Sequence, residues 1–276
     1  LSWYMPRIRA DDGAINLHAS GVPSLTLDDV RFPDLDPWSA VPAFEEKLAS
    51  WLGVPVKELL FTPGATGGTL LALLALTEPG DGILLERPIY EPMMRQAERL
   101  GQVDRFSRRA SEGWTLPVDE VRDLMNDGTR LVMITEPANP SGTCALREDI
   151  LAVADEAARH DAWLLVNEVY RGFTQNPSLH GARENILVVS SFSKLLGAYW
   201  MRLGWVSGPA EIVSRLQMAH MNFSMATKPA AALGLSLLDR ADELRQRAIS
   251  RSALGREVVG RWVDSVDGLS WTPPEG

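Results

Sequence analysis

The sequence predicts an α/β domain built on a mostly parallel sheet with helices packed around it. Three features carry that expectation. Short apolar runs alternate with helix-length segments along the chain. Several of those runs are almost continuously apolar, as strands covered on both faces must be. Glycine and proline stand where successive segments have to stop.

Taken in order, "ELLFTP" (58–63) is the first strand and "ATGGTLLALLALTEPG" (65–80) a helix closed by its Pro-Gly. "GILLERP" (82–88) is strand-like, and "YEPMMRQAERLG" (90–101) is a helix ending on Gly101. "RLVMITEP", "AWLLVNEV" and "NILVVSSF" are three further apolar strands. Between the first two of these, "REDILAVADEAARHD" carries apolar residues at helical spacing. Residues 209–222 and 229–262 read as two more helices, the second long. "DGLSWTPPEG" (267–276) reads as a strand just starting. An unpartnered strand is no stable finish, so the chain is expected to continue past Gly276.

The composition narrows the function classes. Of 276 residues, 45% are hydrophobic, enough for a large domain and part of a second. With 27 basic against 36 acidic residues, the net charge of −9 argues against nucleic acid or an anionic membrane as partner. No apolar stretch approaches the ~20 residues of a membrane helix. The single cysteine, Cys144, fits a reducing compartment and a cytoplasmic protein. Histidines 18, 160, 180 and 220 form no ligand-spaced set, so no metal is expected; His18 reads as structural.

In such sheets, ligands sit outside the carboxyl ends of the strands. After "LLFT" comes Pro63-Gly64-Ala65-Thr66-Gly67-Gly68, whose free amides and Thr66 hydroxyl form an anion cradle at a helix start. Taken alone, that segment reads more readily as an ordinary strand–helix turn. After "ILLE" stands Tyr90, after "VMIT" the turn holding Asn139, after "WLLV" Asn167 and Tyr170. After "LVVSS" comes Lys194, flanked by Ser191 and Ser193, with Arg202 eight residues on. Five such groups in chain order, each closing a strand, are one constellation.

With those residues in view, the chain resembles the class I/II aminotransferases, the fold-type-I enzymes that use pyridoxal 5′-phosphate. The resemblance runs from "INLHASGV" to "PPEG" and is most specific at "NPSG", "NEVYRGF" and "SFSK…R". It implies a large cofactor domain over 31–255. A small domain would be built from residues 1–30 and from 256–276, where it is truncated. It also implies homodimers, and an amino acid and a 2-oxo acid as substrates. Lys194 would carry the cofactor as a Schiff base and move the proton at substrate Cα. The amine must be neutral for this, and burial beside a cation favours that form. Ser191, Ser193 and Arg202, with the amides at Gly64, Ala65 and Thr66, would hold the phosphate. Tyr90 would stack on the ring. Asn139 and Tyr170 would bond its 3-oxygen. Gly21 would let backbone approach the substrate.

Four departures from the family pattern stand out. Asn167 occupies a position where the family has an aspartate that keeps the pyridine nitrogen protonated. Glu168 cannot replace it, because adjacent strand side chains face opposite ways. Chemistry needing only a weak electron sink, an altered variant, and lost catalysis all remain open. They keep a lyase, cyclase or decarboxylase, or a non-catalytic protein, beside the aminotransferase reading. Trp200 stands where relatives carry a small residue, and packing is its expected role. "FPDLDPWSAVPAFEEK" lacks the tyrosine that reaches a partner subunit, and offers only Trp38. The arginine that clamps the substrate carboxylate would lie beyond Gly276.

Overall fold

Seven strands form the sheet that positions everything else. The structure, a computed structural model, describes residues 20–36, 38–223 and 227–276. His18 and the first nineteen residues of the predicted N-terminal segment lie outside the described residues. Helix α1 spans Ala40–Leu52 and stops at Gly53, which adopts the left-handed conformation that glycine reaches without strain. Then β1 (Leu59–Pro63) leads directly into α2 (Gly64–Leu76). Next come β2 (Gly82–Arg87), α3 (Glu91–Leu100), β3 (Gln102–Ser107), α4 (Val118–Leu124) and β4 (Thr129–Thr135). They are followed by α5 (Arg147–Arg159), β5 (Trp163–Asn167), β6 (Ile186–Ser191), the single turn α6 (Phe192–Leu195) and β7 (Leu203–Ser207). Helices α7 (Ala210–Phe223), α8 (Lys228–Leu238) and α9 (Ala241–Asp264) complete the described elements.

The strand order is β1-β7-β6-β5-β4-β2-β3. Strand β7 runs antiparallel to both neighbours, and every other pairing is parallel. Alternation decides which side chain meets which layer. Leu131, Met133, Leu165, Leu187 and Val189 face α2, α3 and α7. Val132, Ile134, Leu164, Val166, Ile186 and Val188 face α4 and α5. Both faces are thus covered, which is why these strands read as unbroken apolar runs. A third cluster ties α1, α8 and α9 to β1 and β7, with Phe44, Phe61 and Phe192 fully buried.

Two sequence expectations need correction, and three elements were not anticipated. The long helix over 229–262 is two helices, broken at Asp239 and Arg240. Leu237 and Leu238 bury against α1, and Arg240 pairs with Glu243 and donates to the carbonyl of Asp29. No glycine or proline marks the break, so the apolar periodicity runs through it unchanged. Strands β3 and β7 and helix α4 lacked a strong signal. Strand β3 carries only two apolar residues, and β7 is a five-residue run interrupted by Gly204. Finally, "DGLSWTPPEG" is not a strand. The N–H groups of Glu275 and Gly276 both donate to the carbonyl of Gly142, and the Glu275 carboxylate accepts from the Cys144 amide.

Candidate active site

The chemistry-bearing residues gather where β1, β2, β4, β5 and β6 end. Lys194 lies on α6, the turn directly after β6, beside a cavity of about 160 Å³. Ala65, Thr66, Tyr90, Asn139, Asn167 and Tyr170 line that cavity. Ser191, Ser193, Lys194 and Arg202 complete the set read from sequence. The two predicted glycines, Gly21 and Gly64, are not among its lining residues.

Lys194 Nζ donates to Ser20 Oγ at 2.8 Å and lies 3.3 Å from the Ser20 carbonyl. The rings of Tyr170 and Tyr199 flank it at 5.9 and 5.3 Å. Burial, and then the positive charge of Arg202, push the lysine pKa below its ordinary value. Both causes disfavour the ammonium form, the direction that favours the free amine a nucleophile or base requires.

The anion side is built from backbone as much as from side chains. Arg202 donates to the carbonyl of Pro63 at 3.3 Å, so its guanidinium is held against the start of α2. A side chain at Gly64 would put its Cβ 2.5 Å from Arg202 Nη2, and Gly64 itself has φ +75°. Arg202 also sits at φ 55°, a left-handed conformation costing a non-glycine residue about 1–2 kcal/mol. Packing of α6 and β7 on either side maintains it. Ser191 and Ser193 add hydroxyls next to free amides at a helix start, a donor set matched to an anion.

Opposite this cup, Asn139 Nδ2 lies 3.5 Å from the Tyr170 hydroxyl, which donates to Ser20 Oγ at 3.1 Å. Asn167 is 5% exposed. Its Oδ1 accepts from the Val169 amide at 3.3 Å, and its Nδ2 points to Met93 Sδ at 3.2 Å. Glu168 faces away, as strand alternation requires. Its carboxylate accepts from Ser178, the Leu179 amide and Arg171, and burial raises its pKa.

Gly21 does line a cavity, but the neighbouring one of about 390 Å³, which shares Ser20, Asn139 and Tyr170 with the lysine cavity. The structure gives its conformational freedom a specific cause. At φ +97°, an added Cβ would meet the Tyr199 hydroxyl at 2.5 Å and the Lys194 carbonyl at 2.7 Å. The adjacent Val22 amide donates to that same carbonyl. Gly21 thus lets the chain pass against the backbone of Lys194.

Sequence reading missed Ser20, Thr69, Met93, Val169 and Tyr199, which also line the lysine cavity. Ser20 adjoins Gly21, and Tyr199 falls between Lys194 and Arg202. Those positions were the available signals. Trp200 is 41% exposed, donates its indole N–H to the Leu25 carbonyl at 2.7 Å, and is not among the residues lining the lysine cavity. Trp38 is 76% exposed beneath the Lys228 ammonium and is not among the residues lining the cavity. Among the described residues, no group of His, Cys, Asp and Glu is placed to hold a metal ion, and no helix is long and apolar enough to cross a membrane.

The family model described as "Aminotransferase class I and II" matches residues 31–276. The chain belongs to that family. Relatives of this aminotransferase-family chain include mouse kynurenine–oxoglutarate transaminase 3, 27% identical over 65% of this chain and 44% of its own length. The probable N-succinyldiaminopimelate aminotransferase DapC of Mycobacterium tuberculosis (strain ATCC 25618 / H37Rv) is 28% identical over 67% of this chain and 50% of its own. The chain therefore spans about half the length of the relatives it matches. Among solved structures, a PLP-dependent aminotransferase from Streptococcus suis superposes with TM-score 0.84, at 24% identity, over 93% of this chain and 75% of that one. Thermus thermophilus aspartate aminotransferase with maleate gives TM-score 0.76 at 21% identity, over 90% and 68%. Those likenesses establish the fold, the type-I architecture of PLP-dependent aminotransferases.

Proposed function

We propose that this chain binds pyridoxal 5′-phosphate through Lys194 and transfers an amino group from an amino acid to a 2-oxo acid. One observation carries the reading: an amine whose pKa is lowered by burial and by Arg202 shares a single cavity with Arg202, Ser191, Ser193, Ala65 and Thr66, a donor set suited to an anion. Family membership supports it, and so does the net charge of −9, which suits a small-molecule substrate better than a nucleic acid. A homodimer and a cytoplasmic location belong to the same reading.

The residues present fit that cofactor. Arg202, Ser191, Ser193 and the amides of Ala65 and Thr66 would hold its phosphate, with Gly64 leaving room for the guanidinium. Tyr90 would cover the ring, and Asn139 and Tyr170 would bond its 3-oxygen. When bound, the group supplies an aldehyde and an electron-withdrawing ring that together make a substrate Cα–H acidic. Lys194 would hold the group at its aldehyde, and its amine would take and return the proton at substrate Cα. Ser20 and the phenols of Tyr170 and Tyr199 orient that amine.

A second reading is kept open by Asn167. Without a carboxylate at that position, a lyase, cyclase or decarboxylase stands as the alternative to amino-group transfer. Product analysis separates the two. Loaded with cofactor and given an amino donor and a 2-oxo acid, the full chain is expected to form one new amino acid per 2-oxo acid released. Release of ammonia or carbon dioxide instead selects the second reading. Borohydride trapping with peptide mapping is expected to place a cofactor adduct on Lys194, and Lys194→Ala to abolish it. An adduct-free wild type sinks both readings.

A further inference from the structure

The inference concerns the ring nitrogen of the proposed cofactor and rests on that proposal. A backbone N–H can only donate, so the Asn167 atom facing the Val169 amide is the oxygen. The Nδ2 group that remains has two donors and no acceptor. Its neighbour Met93 Sδ, a weak acceptor, agrees with that orientation. Several of the cavity's other polar groups have roles or partners elsewhere. Arg202, Ser191 and Ser193 lie on the phosphate side, Ser20 and Tyr199 surround the lysine amine, and Asn139 and Tyr170 meet each other. The Thr69 hydroxyl donates to the Ala65 carbonyl. In the proposed binding mode, Lys194, the phosphate cup and the Asn139–Tyr170 pair would serve three successive ring positions. The ring nitrogen would then lie across from the position Lys194 serves, and the buried Asn167, beside Val169 and Met93, would be placed to meet it.

Charge points the same way. Among the described residues lining the cavity, the titratable groups are Lys194, Arg202 and the phenols of Tyr90, Tyr170 and Tyr199. No carboxylate is among them, and Glu168 is turned to the opposite face of the sheet. A ring cation would find no counter-charge there and would feel the Arg202 guanidinium.

We propose that Asn167 makes this site select the uncharged pyridine form of the cofactor, donating Nδ2–H to the ring nitrogen's lone pair. A protonated nitrogen would set N–H against N–H and lose the bond. The uncharged ring withdraws fewer electrons from Cα. Proton removal then leans more on the Lys194 amine and on the hydrogen bonds of Asn139 and Tyr170 to the 3-oxygen.

The test is nitrogen-15 magnetic resonance of the full chain loaded with ring-labelled pyridoxal phosphate, titrated through the neutral range. The wild type is expected to keep an unprotonated ring-nitrogen signal. Asn167→Asp is expected to raise the protonation midpoint by about 1–3 pH units, the effect of a contacting opposite charge. A wild-type nitrogen that is protonated near neutrality overturns the inference, as does an Asp variant that titrates like wild type. Should that variant fail to fold, the wild-type spectrum alone decides. If borohydride trapping places no cofactor on Lys194, the functional reading fails and this inference with it. If trapping succeeds and the nitrogen is protonated, only this inference fails.

Discussion

Arg202 acts on two targets at once. Its guanidinium faces the proposed phosphate, and its charge depresses the Lys194 pKa as the second cause after burial. Charge-assisted hydrogen bonds contribute roughly 1.5–3 kcal/mol, so Arg202→Gln is expected to weaken cofactor binding about 10–150-fold. The sign of its second effect follows from electrostatics. Removing a neighbouring cation makes the ammonium cheaper, so the lysine pKa rises while the burial contribution stays. The pH at which the free amine begins to react should therefore move upward. Binding titrations followed by the cofactor's absorbance check both effects, and an unchanged pH onset would mean that the guanidinium does not reach Lys194.

The connection from β4 to α5 carries Asn139, and a buried charge cluster anchors its base. Arg108 lies between Glu86 and Glu136, at 2.8 Å from one and 3.7 Å from the other. The Glu136 carboxylate also accepts from the Ala145 amide, which closes the loop. Burial raises the Glu136 pKa from an ordinary 4.5 to about 7, against the opposing pull of Arg108. Between those values the folded chain holds a proton that the unfolded chain has released. Stability therefore falls as pH rises through that window, by on the order of 3 kcal/mol for this group. Glu136→Gln keeps an acceptor for Ala145 and should flatten that slope in denaturant unfolding from pH 5 to pH 7, the window set by those two values. An equally steep slope in the variant would assign the pH dependence to other carboxyls.

Across the whole molecule, an aromatic cluster links the outer helices to the turn that bears the lysine. Phe44 on α1 meets Phe61 edge-on at 4.9 Å, and Phe192 contacts Trp205 at 5.0 Å and Trp51 at 5.6 Å. Phe192 lies two residues before Lys194, so this packing fixes α6 from below. Phe44→Ala leaves a cavity in that cluster and is expected to cost about 3–5 kcal/mol, read as a lowered denaturant midpoint at constant slope. A loss below about 1 kcal/mol would mean that α1 repacks and does not brace the site.

The long apolar strands β1, β2, β4, β5 and β6 were legible because burial on both faces forces a composition that no other segment needs. The lysine, the arginine and the glycine-rich turn were legible because few residue types can do their chemistry. Edge strand β3 was not, since one exposed side relieves it of the apolar pattern, and the break at Asp239–Arg240 left no local mark. Ser20 and Tyr199 were equally silent, being ordinary residue types whose value comes from neighbours far away in the chain. The sequence by itself determined the fold class, the candidate amine at Lys194 and the absence of a carboxylate at position 167. Only the tertiary structure decided which atom of Asn167 faces the cavity, what Gly21 makes room for, and that Arg202 lies close enough to influence Lys194. Composition and periodicity record burial and chemical type, whereas orientation and proximity arise only when β1 through β7 are brought side by side.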